Sequence, residues 1–253
     1  MDLKLKGKTA IVTGASSGLG VQFATALARE GANLAIVARR AEKLNETMAK
    51  IKELGVDCIA VQCDVTKSDE VAKAVKEISA HYKGRIDILV NNAGVGLVEP
   101  AETQSNDTWS KTMAANIDGV YYFCREVGKI MLERKYGKII NIGSIHSQVA
   151  LTSPLSAYAT SKGAVLMMTK ALAGEWAKHG ITVNAIGPGY FPSEMTAGVL
   201  ENKDFMEYIK IACPMGRPGR EGELDGALLY LASDMSSYTT GQIISVDGGW
   251  TAI

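Results

Sequence analysis

Tyr158 and Lys162 stand four residues apart in a segment of helical periodicity, so both side chains project from one face. A free tyrosine has a pKa of about 10, which makes it a poor proton-transfer group near neutral pH. An ammonium one helical turn away favours the phenolate and brings that value nearer to working pH. Ser144 lies fourteen residues before Tyr158, just past a strand-like run. Its hydroxyl can both donate to and accept from a carbonyl or alcohol oxygen. Tyr-x-x-x-Lys alone recurs by chance on solvated helix faces. With the serine, and with a glycine-rich turn near the N-terminus, it describes proton transfer at a carbonyl or alcohol oxygen.

That turn reads Thr13-Gly14-Ala15-Ser16-Ser17-Gly18-Leu19-Gly20. It follows a strand-like run, opens a helix and begins a βαβ unit, the context in which glycines let a backbone approach a pyrophosphate at a helix N-terminus. The second strand-like run ends Val37-Ala38-Arg39-Arg40, with no acidic residue there. An acid at this point would bind a ribose 2′-hydroxyl and repel a 2′-phosphate, whereas an arginine can fork onto the phosphate. The two arginines therefore point to NADP(H) as preferred cofactor, with NAD(H) still admissible. The plainer reading of the pair is a solvated loop at a helix start.

The elements that must position these groups alternate along the whole chain. Strand-like runs occupy Thr9–Thr13, Leu34–Val37, Cys58–Val61, Ile86–Val90, Ile139–Ile142, Ile181–Ile186 and Ile243–Val246. Helical patterns run from Leu19 until Gly31 stops the first, then over Lys43–Leu54, Glu70–Tyr82, Trp109–Lys135, Tyr158–Lys178 and Leu224–Ala232. The strands are near-continuous apolar runs, which suits a parallel sheet covered on both faces. Regular β-α alternation with right-handed crossovers implies an α/β, doubly wound open sheet. The 253 residues, 47% hydrophobic and 21% charged, read as one domain over 1–253. Twenty-seven basic residues balance 27 acidic ones, which argues against a phosphate-neutralising nucleic-acid binder. No stretch approaches the ~20 apolar residues of a membrane span. Met1–Lys8 does not resemble a signal peptide, and Cys58, Cys63, Cys124 and Cys213 show no CxxC pairing, so a cytoplasmic chain with reduced thiols is expected. His81, His146 and His179 are far apart and form no ligand spacing, so no metal is expected.

Taken together, the chain resembles the classical short-chain dehydrogenase/reductase family along its whole length. The motifs that carry the resemblance are the Thr-Gly-x-x-x-Gly-x-Gly turn, Asn91-Asn92-Ala93-Gly94, Asn116, Ser144, Tyr158-Ala-Thr-Ser-Lys162 and Pro188-Gly189. The resemblance implies a single Rossmann domain with strand order 3-2-1-4-5-6-7, usually a homotetramer. It makes Tyr158 the general acid/base and has Ser144 orient the substrate oxygen. Lys162 would bind the nicotinamide ribose and lower the tyrosine pKa, and Asn116 would hold a water in the proton relay. Hydride would pass directly between cofactor and carbinol carbon. For the cofactor it implies contacts from Gly14, Ser16, Ser17, Gly18, Leu19 and Gly20. Further contacts would come from Asp64 and Val65 at the adenine, from Asn92, Ala93, Gly94, Pro188 and Gly189, and from Ser193 at the carboxamide. Ser17 stands where many NADP-dependent relatives carry a basic residue.

Substrate residues are less sharply marked. His146, two residues past Ser144, is either a polar lining group or a loop histidine held by backbone or water. Tyr190, Phe191 and Met195 fall in a segment, about 190–215, that breaks the β-α rhythm, is long enough for a lid and caps the substrate in relatives. The stretch Val183–Met195 with Val246–Trp250 looks most like the gluconate 5-dehydrogenase branch, which handles sugar acids and polyols. Lys203, Lys210 and Arg217 are the nearby basic residues for a substrate carboxylate. A hydroxysteroid dehydrogenase of bile-acid type, a 3-oxoacyl-carrier-protein reductase and a non-catalytic dinucleotide sensor are the alternatives.

Overall fold

Neighbouring residues in the central strands bury opposite faces of one sheet. Ala10 and Val12 of β1 (Thr9–Thr13) and Leu34 and Ile36 of β2 (Asn33–Ala38) pack into one apolar cluster with Phe23, Leu27 and Leu228. Ile11, Ala35 and Val37 pack into a second with Val71, Ile78, Phe123 and Val165. Strands buried on both sides must be apolar throughout, which is why they read as continuous runs. The computed structural model describes residues 3–151 and 153–253. Met1 and Asp2, the first residues of the segment expected not to be a signal peptide, lie outside the described residues, as does Thr152.

The remaining strands are β3 (Cys58–Gln62), β4 (Ile88–Asn91), β5 (Gly137–Ile142), β6 (Ile181–Pro188) and β7 (Ile243–Val246). All pairings are parallel, in the order β3-β2-β1-β4-β5-β6-β7. The order reverses between β1 and β4, where Val12 pairs with Val90. Ligands bind open sheets at such a point, outside the carboxyl ends of the strands. The flanking helices are α1 (Gly18–Arg29), α2 (Ala41–Lys52), α3 (Ser68–His81), α4 (Asn106–Met113), α5 (Gly119–Arg134), α6 (Ser156–Trp176), α7 (Ala197–Leu200), α8 (Lys203–Ala212) and α9 (Asp225–Ala232).

Two elements depart from the sequence expectation. The helix expected over Trp109–Lys135 begins earlier, at α4, because the Ser105 hydroxyl caps it by accepting from the Thr108 N–H at 3.1 Å. It is then interrupted by a π-helical turn, Ala114–Asp118, before α5. The capping segment contains α7 and α8, neither of them expected. Asn202 starts α8 by accepting from the Phe205 N–H at 3.0 Å, and Ile209 is buried beneath it against Ile145, Cys213 and Trp250. Among the described residues no helix is long and apolar enough to cross a membrane. The four cysteines are buried and unpaired. Burial pushes the Cys58, Cys63 and Cys124 thiols up to about 12, which makes them inert near neutral pH.

Candidate active site

Where β1 ends, backbone geometry dictates the residues. Gly14 has φ +68°, and a Cβ there would press on the Ala93 backbone at 2.8 Å. A Cβ on Gly20 would overlap the Gly14 carbonyl oxygen. No other residue fits either position. Thr13, which the sequence marks only as the first residue of the motif, ties this turn to the end of β4. Its hydroxyl accepts from the Asn92 and Ala93 N–H groups, both at 3.0 Å. Asn92 returns the contact by donating its amide to the Thr13 carbonyl at 3.0 Å.

A cleft of about 800 Å³ runs over these turns along the carboxyl ends of the strands. Its walls include Gly14, Ser16, Ser17, Gly18 and Leu19 at one side. Arg39, Arg40, Asp64 and Val65 lie at one end, and Asn92, Ala93 and Gly94 in the middle. Ser144, Tyr158, Lys162, Pro188, Gly189, Ser193 and Met195 also line it. The structure thus brings the expected cofactor residues around one cavity, with Gly20 directly behind the turn. Partial burial pushes the Asp64 carboxyl up, but hydrogen bonds from the Thr66 backbone and hydroxyl and the charge of Arg39 hold it below its ordinary value.

The polar groups at the other end are braced from behind. Asn116 sits in the π-helical turn, fully buried; its side chain accepts from the Val95 N–H at 2.8 Å and donates to the Val95 carbonyl at 2.9 Å. Its amide also donates to the Ser161 hydroxyl at 3.0 Å, and Ser161 donates to the Tyr158 carbonyl at 2.7 Å. Ser147 forms a second brace. Its hydroxyl accepts from the Ser144 N–H at 3.2 Å and donates to the Lys162 carbonyl at 2.9 Å. Neither Ser147 nor Ser161 was weighed from the sequence. The serine before Lys162 and the one three residues past Ser144 are visible there, but nothing local says what they face.

The titratable groups follow from this packing. Burial raises the Tyr158 phenol above its ordinary value, while a hydrogen bond from the Ser144 hydroxyl pulls it down. Burial takes the Lys162 ammonium down to about 8. That ammonium donates to the Ile142 carbonyl at 2.7 Å and lies 5.7 Å from the centroid of the Tyr158 ring. Burial and the Ser144 contact thus act on the phenol in opposite directions, with the Lys162 ammonium on the same face of the helix.

His146 is buried and meets the Tyr158 ring edge-on, with centroids 5.7 Å apart. Burial lowers its pKa, against a hydrogen bond to the Val149 backbone that raises it, so the ring is neutral near pH 7. It touches Tyr158 without lining the cleft. Tyr190 meets Phe205 edge-on and Trp250 at a tilt, at 4.9 and 5.3 Å between centroids, and with Trp250 lines a neighbouring cavity of about 470 Å³ beside the capping segment. Phe191 is buried and forms part of the wall between the two cavities. Of the basic residues considered for a carboxylate, Lys210 is paired with Glu207 and Arg217 with Glu223, and Lys203, Lys210 and Arg217 all lie outside the cleft lining. Among the described residues, no three His, Cys, Asp or Glu side chains come together as a metal cage.

Comparison with known proteins matches this frame. Residues 14–251 match the family model described as enoyl-(acyl carrier protein) reductase. The chain is 38% identical to a gluconate 5-dehydrogenase of Gluconobacter oxydans, over 98% of this chain and 96% of that one. It is 39% identical to an L-tagatose-forming galactitol 2-dehydrogenase of Cereibacter sphaeroides, with the same two coverages. A crystal structure of a gluconate 5-dehydrogenase from Burkholderia cenocepacia, in complex with NADP and tartrate, superposes with a TM-score of 0.96 at 36% identity, covering 100% of this chain and 98% of that one.

Proposed function

Since the chain belongs to the short-chain dehydrogenase/reductase family, we propose that it interconverts a sugar acid or polyol with the corresponding keto compound, using NADP(H). The observation that carries this reading is one cleft with a glycine turn and two arginines at one end and Ser144, Tyr158 and Lys162 at the other. The residues fit a nicotinamide dinucleotide: the turn admits no Cβ at Gly14 or Gly20, which leaves its backbone open to a diphosphate. The solved relative in complex with NADP supports the phosphorylated cofactor.

When bound, the cofactor supplies or takes up the hydride. The chain's own groups do the rest. Tyr158 gives its proton to the substrate oxygen in ketone reduction and takes it back in alcohol oxidation. Ser144 donates to the same oxygen and steadies the charge that develops there. Lys162, buried and cationic below about pH 8, holds the cofactor ribose and places positive charge behind the phenol. Asn116 and Ser161 set the backbone of Tyr158, so their effect on the reacting oxygen passes through it. Lys203, Lys210 and Arg217 lie outside the cleft lining, which speaks against a cationic clamp from the cap. The names of the relatives, which act on gluconate and on galactitol, support that substrate class.

The test is loss of NADPH absorbance with 5-ketogluconate, L-tagatose, an acetoacetyl thioester and a panel of oxo-steroids. Turnover of the keto-sugars is expected. Preference for a steroid would reassign the Met195 side of the cleft as an apolar clamp, and preference for the thioester would place the chain with the carrier-protein reductases. Tight NADPH binding with no turnover of any ketone would mean a dinucleotide sensor and overturn the catalytic reading.

A further inference from the structure

Glu194 lies in the capping segment, beside Ser193 at the cleft wall, yet its carboxylate reaches across to α2 and the glycine turn. It pairs with Arg40 at 2.9 Å and with Lys43 at 2.8 Å. Arg40 in turn donates to the Ser16 hydroxyl at 3.1 Å and to the Ser17 hydroxyl at 2.6 Å. Two cations and two hydroxyls thus converge at the mouth of a glycine turn, around one anion supplied by the chain itself. This donor set is that of a phosphate monoester subsite, in which a forked guanidinium, an ammonium and short hydroxyls share the oxygens. Arg40 is also one of the two residues offered to a 2′-phosphate. Its neighbour Arg39 makes no such contact with the cap, and its charge faces Asp64.

A carboxylate and a phosphate cannot hold the same Arg40 and Lys43 donors together without bringing like charges into contact. Hydrogen bonds from Lys43, Ser17 and Arg40 hold the Glu194 carboxyl down to about 2, so it is an anion throughout the physiological range. The three charged side chains are each about half exposed, at 45, 48 and 52%, so each single ion pair is weak and exchangeable.

We propose that Glu194 is an internal anion that occupies the Arg40–Lys43–Ser16–Ser17 subsite from the cap. A cofactor bearing a 2′-phosphate must displace it, whereas one bearing a 2′-hydroxyl leaves the cap strapped to α2. Glu194 is thereby a determinant of cofactor discrimination that works by competition. This inference rests on the NADP(H) reading above.

The test is equilibrium titration of the full chain and of Glu194→Gln and Glu194→Ala with NADPH and with NADH, read by cofactor fluorescence at low ionic strength. Both variants should bind NADPH about three- to tenfold more tightly, the scale of freeing one or two exposed ion pairs, with NADH affinity changed less than about twofold. Unchanged or weakened NADPH binding, or equal tightening of both cofactors, would overturn the proposal. The original chain separates the two levels. If it prefers NADPH and the variants do not extend that preference, competition by Glu194 fails alone. If it shows no preference, the NADP(H) reading fails as well.

Discussion

The cradle at the ends of β1 and β4 and the capping segment over it are built on opposite principles. In the cradle each position is dictated by backbone approach: Gly14 against Ala93, Gly20 against the Gly14 carbonyl, and Thr13 bonded to two N–H groups of the facing loop. The cap leans more on side chains, through the Tyr190, Phe205 and Trp250 rings and the Glu194 ion pairs, with a backbone bond from the Met215 N–H to the Gly248 carbonyl at 3.0 Å. It leaves Met195, Ile211 and Met215 at the surface. A backbone-dictated site tolerates almost no variation, whereas a side-chain-held cover can be rebuilt for a new substrate without disturbing the chemistry beneath. The two regions should therefore fail differently when altered.

The largest effect belongs to the frame. Tyr158→Phe removes the proton donor and should lower kcat at least ~100-fold, while NADPH affinity stays within about twofold; fluorescence titration alongside turnover checks both. An unchanged rate would remove Tyr158 from the reaction. Gly20→Ala forces a Cβ into the Gly14 carbonyl and should weaken both cofactors by ~tenfold or more, since either the turn or α1 must shift. Arg40→Ala should raise the KM for NADPH by about tenfold and that for NADH less than about twofold, because a charged hydrogen bond is lost only with the phosphate. Equal effects would leave Arg40 as a solvated loop residue.

The pH dependence sharpens the same contrast. Because burial raises the Tyr158 phenol, the protonated form needed for reduction prevails at neutral pH, and the phenolate needed for oxidation appears only as pH rises. The optimum for alcohol oxidation should lie alkaline of that for ketone reduction. Reduction should decline as Lys162 loses its charge above about pH 8. Coincident optima would contradict this assignment. The smallest effect is expected from the cap. Met195→Ala should change KM a few-fold for a bulky ketone and hardly at all for a small one, with kcat preserved. A large loss of kcat for every substrate would place the cap inside the catalytic frame and erase the distinction.

Legibility in the sequence followed the same division. The glycine turn and the seven strands were readable because buried parallel strands and Cβ-free turns leave few residue choices, whereas the strand order followed only from the family resemblance. The π-helical turn around Asn116 was not, since it lies inside an unbroken helical pattern and is fixed by contacts with Val95 and Ser161. Helix α8 was hidden among Gly and Pro positions, although Asn202 is a recognisable cap. The pairing of Glu194 with Arg40 joins residues 154 positions apart on the surface, a relation that no local pattern records. Tyr190 and Phe191 were read as substrate contacts from their place in the chain; Tyr190 lines the neighbouring cavity, and Phe191 lines both that cavity and the cleft.

The measurement that tests the central claim most directly is reduction of 5-ketogluconate with NADPH carrying deuterium at the transferable position of nicotinamide C4, followed by mass and NMR analysis of the product. One deuterium is expected on the new carbinol carbon and none elsewhere, with the hydroxyl proton supplied through Tyr158. Product carrying only protium at that carbon, or no product from a chain that binds NADPH tightly, would contradict it.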